Sequence, residues 1–154
     1  MPKIIPHTLP EASGSRYPAP FDAPCKARSW RRLAEAAGLT QFGVNLVRLP
    51  PGTWSSQRHW HKEEDELVYV LEGELVLVTD AGEETMRPGE CAGFKAGVRD
   101  GHCLQNRSSA DAVKLVVGTR SDADEGQYSD IDMKFAGARY SGKGRYTKKD
   151  GTPY

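Results

Sequence analysis

His59 and His61 stand two residues apart, and Glu66 follows five residues after His61. Side chains at i and i+2 of a strand share a face, so both imidazoles can reach one point. The parity of the following strand puts Glu66 on the face of Val68 and Val70. A carboxylate on an otherwise apolar wall is costly to leave unpaired, and a metal ion removes that cost. Two imidazoles and one carboxylate suit Mn(II), Fe(II), Ni(II), Zn(II) or Cu(II). His102 offers a fourth donor from a later strand. Three of the four histidines, all but His7, therefore join one constellation.

Plainer readings compete with this one. A lone HxH pair is more often two surface or core histidines, and an inward Glu66 could pair with Arg48 or Arg58 instead. The four groups together, all on β-type segments, favour the metal. Around them, Gln57 shares the alternation of His59 and could support or replace a ligand. Ser55 could hydrogen-bond a substrate, and Lys95 and Arg99, in the loop before His102, could meet an anionic one. Glu63, Glu64 and Asp65 read as a solvated loop, with Glu64 or Asp65 able to replace Glu66 if the strand begins earlier. Trp54 and Trp60 read as packing residues. Alternation turns Cys103 away from the ligands.

Strands must position these groups. LTQFGVNLVRL, from Leu39, runs into a firm turn at Pro50-Pro51-Gly52. Ser55 to His61 alternates as a strand. Glu66 to Leu71 follows, with both faces apolar, so both are expected to be covered. One face would line a barrel, and the other a second sheet, the arm or a partner subunit. Turns at Glu72-Gly73, Asp80-Ala81-Gly82 and Pro88-Gly89 separate further runs at Glu74–Thr79, Glu83–Arg87 and up to Phe94. His102–Asn106 and Ala112–Thr119 complete about eight short strands, the pattern of an all-β sandwich or closed barrel. Ser29 to Gly38 could form a short helix, capped by Ser29 and stopped by Gly38. Residues 1–28, rich in Pro, Ser and Gly, read as an extended arm that Tyr17 and Phe21 help to dock. The polar residues 121–154 read as a C-terminal extension, with a strand or turn at Ile131–Phe135.

The whole chain of 154 residues is the size of one domain. Lys+Arg and Asp+Glu number 21 each, so no global charge favours nucleic acid or an anionic membrane. Three cysteines without a CxxC suggest neither a disulfide framework nor a zinc finger, and reduced thiols fit a cytoplasmic protein. No apolar run approaches the ~20 residues of a membrane span. Met1 to Gly14 lacks the apolar core of a signal peptide.

The motifs resemble those of the cupin superfamily. Gly52, His59, His61, Glu66 and Gly73 follow its first motif, and LVYVLEGE is similar to the family's strand and turn. Six residues separate Gly52 from His59 where the motif has five. Gly89, Gly97, His102 and Asn106 follow the skeleton of the second motif, with Lys95 in place of a proline and a longer loop before His102. The resemblance implies a double-stranded β-helix, or jelly-roll barrel, over residues 39–120. An arm with a short helix would span residues 1–38, and an extension packed on the barrel residues 121–154. It implies His59, His61, Glu66 and His102 as ligands of one divalent transition metal, with two positions left open on an octahedral ion. A homodimer acting on a small polar or anionic molecule is the corresponding expectation, with sugar-phosphate isomerisation or epimerisation foremost. Fe(II)-dependent dioxygenation and a non-catalytic sensor are the alternatives, because this fold hosts many chemistries.

Overall fold

The computed structural model describes residues 3–137 and 145–154. In chain order these form β1 (Ala12–Ser13), β2 (Ser29–Arg32), a short helix α1 (Leu33–Ala36), β3 (Phe42–Leu49), β4 (His59–His61) and β5 (Glu66–Glu72). There follow β6 (Leu75–Thr79), β7 (Gly82–Met86), β8 (Cys91–Phe94), β9 (Cys103–Gln105), β10 (Ala112–Thr119), β11 (Glu125–Tyr128), β12 (Lys134–Ala136) and β13 (Arg145–Thr147). A six-stranded sheet has the order β1-β2-β3-β10-β5-β8, beside sheets ordered β13-β12-β11-β4 and β7-β6-β9. Every ladder is antiparallel. The chain is thus the all-β jelly-roll that the turn spacing and motifs imply. No described helix is long and apolar enough to cross a membrane.

Strand alternation sorts the core. On β5, Val68 and Val70 are fully buried, whereas Leu67, Tyr69 and Leu71 are 43%, 40% and 38% exposed. The inner residues pack with Leu49, Leu75, Leu104 and Ala112. The outer face was expected to be covered, but in the single chain it stays open. At the β5–β6 turn, Gly73 has φ +74°, and an added Cβ would lie 2.5 Å from the Asp111 carbonyl oxygen. Both the backbone conformation and the close approach of β10 demand glycine there.

Two expected elements are shorter than their local pattern. Ser29–Arg32 pairs with β3 as a strand, leaving only Leu33–Ala36 helical. A ladder beside β3 satisfies more backbone groups than one further helical turn, so tertiary pairing overrides propensity. The strand expected over Ser55–His61 is confined to His59–His61. Ser55 instead donates its N–H to the Leu104 carbonyl (2.7 Å) and accepts the Leu104 N–H on its hydroxyl (3.0 Å). These bonds, made across 49 residues of sequence, take up the Ser55 groups that a regular ladder would use.

The arm is tied to its own chain. The Gly14 N–H donates to the Arg28 carbonyl (3.0 Å), and Arg28 Nε returns a bond to the Gly14 carbonyl (2.9 Å). Tyr17 is buried edge-on against Tyr128, with ring centres 5.4 Å apart. It joins Cys25, Met133 and Phe135 in a second apolar cluster between the arm and the C-terminal segment.

β11 pairs with β4, setting Gly126 opposite His61. A Cβ on Gly126 would stand 2.2 Å from the Trp60 carbonyl oxygen and 2.3 Å from Phe135 Cζ. Gly126→Ala should therefore push β11 off β4 at a cost of about 2 kcal/mol. That corresponds to a melting temperature roughly 4–8 °C lower by calorimetry. An unchanged melting temperature would show that the packing yields there.

Candidate functional site

β4 presents His59 and His61 on one face, β5 opens with Glu66, and His102 lies beside β4, just before β9. Backbone bonds of 3.2 and 2.9 Å between His59 and His102 lock the two segments together. His59, His61 and Glu66 each place one donor atom so that all lie within 4.8 Å of one another. His102 stands next to this group, its Nε2 3.5 Å from Glu66 Oε1 and its ring centre 5.0 Å from that of His59. The ring of His102 stacks on Phe94, with centres 3.5 Å apart and planes 3° from parallel. Arg48 pairs with Asp111, and Arg58 with Asp80 and Asp130. Neither arginine is therefore the partner of Glu66.

The hydrogen bonds behind the rings set their tautomers. His59 Nδ1 lies 2.9 Å from the Gln57 carbonyl oxygen, which can only accept, so this nitrogen donates. His61 Nδ1 lies 2.8 Å from Asp124 Oδ2 and likewise donates. The two Nε2 atoms then face each other 3.0 Å apart, lone pair to lone pair when both rings are neutral. Burial, reinforced by His61 and His102, pushes the His59 imidazole well below its usual pKa and keeps it uncharged. Two metal–nitrogen bonds of about 2.1 Å at a right angle would separate their nitrogens by about 3.0 Å. Both nitrogens of His102 are buried without a hydrogen-bond partner among the described residues. Burial pushes the Glu66 carboxyl up, but His102, Lys114 and His59 outweigh it and hold the group well below the usual carboxylate range. An ionised carboxylate, two converging lone pairs and an orphaned imidazole fit a divalent cation.

His61, Glu64 and Asp124 form a second close group, also within 4.8 Å. Asp124 additionally accepts the Glu63 N–H (3.0 Å), and Glu64 accepts the Ser121 N–H (2.8 Å). This group braces the far side of His61. Glu64 was expected in a solvated loop, but it is buried. It faces the Nδ1 edge of His61, 3.8 Å away, and so does not replace Glu66.

Above the imidazoles opens a cleft of about 770 Å³. Its lining includes His59, His61, Glu66 and Lys114 from the barrel, and Arg16, Arg28, Arg32 and Arg120 from the flanking segments and β10's end. Ser55 lines it too, but its hydroxyl is engaged by Leu104. Gln57 turns its side-chain amide to the Phe21 carbonyl (2.8 Å), so only its backbone meets His59. Lys95 lies in a separate hollow of about 210 Å³ that reaches His61 and His102 from the other side. Arg99 covers Trp60, its guanidinium carbon 5.5 Å from the ring centre. The expected anion contacts of Lys95 and Arg99 therefore lie away from the main cleft. Cys103 is buried, and burial raises its pKa, in keeping with an inert thiol.

Sequence reasoning missed Asp124, Lys114 and the arginines. Asp124 and the arginines sit in segments without periodic patterning. Lys114 does carry a signal: it takes an inward position in the apolar run AVKLVVGT.

The family model described as "Cupin domain" matches residues 45–118. A solved sugar phosphate isomerase of the cupin superfamily from Silicibacter pomeroyi shares 48% identity. The match covers 99% of this chain and 96% of that one, with a TM-score of 0.94. A candidate sugar phosphate isomerase from Acidithiobacillus ferrooxidans is 27% identical over 83% of this chain and 80% of its own, with a TM-score of 0.74. A polyketide cyclase from Streptomyces resistomycificus shares the fold at 24% identity and a TM-score of 0.64, with 77% of this chain and 79% of that one covered. No curated protein matches the chain. With its motif glycines at the turns, its histidines on facing strands and a full-length relative at 48% identity, the chain belongs to the cupin superfamily.

Proposed function

We propose that the protein is a metal-dependent isomerase of a small phosphorylated sugar, with His59, His61, Glu66 and His102 holding one divalent transition metal. The observation that carries this reading is the group His59, His61 and Glu66, with His102 beside it, opening onto a cleft whose lining includes Arg16, Arg28, Arg32 and Arg120. The 48% identity to a sugar phosphate isomerase across nearly the whole chain supports it. When bound, the ion would polarise a carbonyl oxygen as a Lewis acid.

The chain's own residues supply binding and orientation. Arg28 is held by the Gly14 and Ser55 carbonyls, so its charge is fixed at the cleft wall. Its guanidinium carbon also lies 5.7 Å from the ring centres of Tyr17 and Trp30. Arg16 and Arg32 add positive charge from the arm and the end of β2. Arginine suits phosphate because its planar fork can donate two parallel bonds. The aromatic side chains of Tyr17 and Trp30 form apolar wall beside these charges.

The test incubates Mn(II)-loaded protein in deuterated water with a panel of aldose and ketose phosphates and with the unphosphorylated sugars. Interconversion followed by NMR is expected for a phosphorylated substrate only. Absence of both interconversion and deuterium incorporation across the panel would sink the isomerase reading.

A further inference from the structure

The inner face of the six-stranded sheet carries one residue that packing does not explain. Lys114 stands in β10 opposite Val47 on β3 and Val70 on β5, and it is only 3% exposed. Its inward neighbours along the strand are Ala112 and Val116. No hydrogen bond or ion pair engages its ammonium among the described residues. The group instead lines the cleft together with His59 and Glu66. The β10–β5 register shifts between Val113 and Lys114, leaving Leu71 unpaired. Irregularities of this kind re-aim side chains beside functional sites. An apolar residue would fill this position at no electrostatic cost, whereas an ammonium drawn this far from bulk water is costly.

The geometry points to Lys114 as the residue that binds a substrate oxyanion at the barrel floor. The charges near it explain why an anion belongs there. Glu66 is the carboxylate whose field reaches Lys114, and Arg28 adds a second positive charge. Burial draws the Lys114 ammonium down to about 8, Glu66 opposes the fall, and Arg28 deepens it. Once Glu66 is committed to a divalent ion, the floor carries a surplus of positive charge. A phosphate, carboxylate or enediolate oxygen compensates that surplus and accepts the ammonium's hydrogen bond. The ligand class is therefore a small molecule whose negative charge reaches the interior, in addition to any anion held by arginines at the rim.

This inference rests on the metal reading above, and its test separates the two. Inorganic phosphate is titrated into Mn(II)-loaded protein by calorimetry. The wild-type protein is expected to bind it, and Lys114→Met at least about tenfold more weakly. The substitution also removes a positive charge from beside the ion, so Mn(II) affinity should hold or tighten. Metal-free Lys114→Met should melt at or above the wild-type temperature, because a charge that burial disfavours has gone. Unchanged phosphate affinity in Lys114→Met, or no phosphate binding by wild type, would overturn the proposal. So would a fall in the melting temperature of both Lys114→Met and Lys114→Gln, which would make the residue structural. Failure of the wild type to take up Mn(II) would remove the metal reading and this one together. Phosphate binding that depends on Lys114, without sugar-phosphate turnover, would fail only the reaction.

Discussion

His59→Ala is expected to lose the metal-induced rise in melting temperature altogether. A ligand at a thousand times its Kd stabilises the folded state by about 4 kcal/mol. For a chain of this length that is roughly 8–16 °C. Wild-type protein with excess Mn(II) or Zn(II) should show a shift of that order. His59 supplies one of the two nitrogens that converge 3.0 Å apart, whereas Glu64 and Asp124 approach His61 at its Nδ1 edge. Differential scanning calorimetry of both proteins, with and without metal, makes the comparison. An equal shift in the variant would remove His59 from the ligand set.

Acidification of the metal-free protein probes the same group. The folded-state pKa of His59 lies well below its ordinary value of 6.5, so below that pH the unfolded chain binds more protons. Stability should therefore fall as the pH drops from about 6.5. Glu66 acts in the same direction at lower pH. Its folded-state pKa lies below the ordinary 4.5, so its contribution is present above that value and lost as the pH falls through the folded pKa. His59→Ala should flatten the upper part of this profile and shrink the lower part, because His59 is one of the groups that hold the Glu66 carboxyl down.

Asp124→Asn should weaken metal binding by about 10- to 100-fold, although Asp124 would reach the proposed ion only through His61. Asp124 is fully buried and accepts from His61 Nδ1 at 2.8 Å. An asparagine that still accepts the Glu63 N–H on its oxygen turns its amide nitrogen toward His61. Nδ1 would then have to accept, and the ring proton would move to Nε2, where it blocks the metal-facing lone pair. The backbone bond survives, so metal-free Asp124→Asn should melt close to wild type. Isothermal titration with Zn(II) reads the affinity. Unchanged affinity would show that Asp124 does not set the tautomer. A collapse of the metal-free melting temperature would make its role one of folding instead.

Much of the fold was legible because strands write themselves into sequence with a period of two. The parity of ELVYVLE separates Val68 and Val70, which are buried, from Leu67, Tyr69 and Leu71, although with both faces apolar it did not tell that the second face stays open. Gly73 marked a turn that no other residue could make so close to Asp111. The grouping of His59, His61 and Glu66 was legible for the same reason, since i,i+2 spacing and strand parity are local properties. Ser29–Arg32 and Ser55–Arg58 were misjudged because β3 and Leu104 compete for their backbone groups, and that competition is not local.

The sequence by itself determined an all-β fold and the grouping of His59, His61 and Glu66, because periodicity, turn residues and short spacing act over a few residues, and the motif resemblance implied the jelly-roll. Only the tertiary structure decided what surrounds those donors. Asp124 lies 63 positions from His61 along the chain yet bonds to it, because β11 pairs with β4. Gln57 turns to the arm, Glu64 goes inside, and Lys95 falls on the far side of His102. Lys114 is one polar residue in an apolar run. Its place on the cleft wall with Glu66 depends on β10 lying between β3 and β5, a neighbour relation that strand periodicity does not encode.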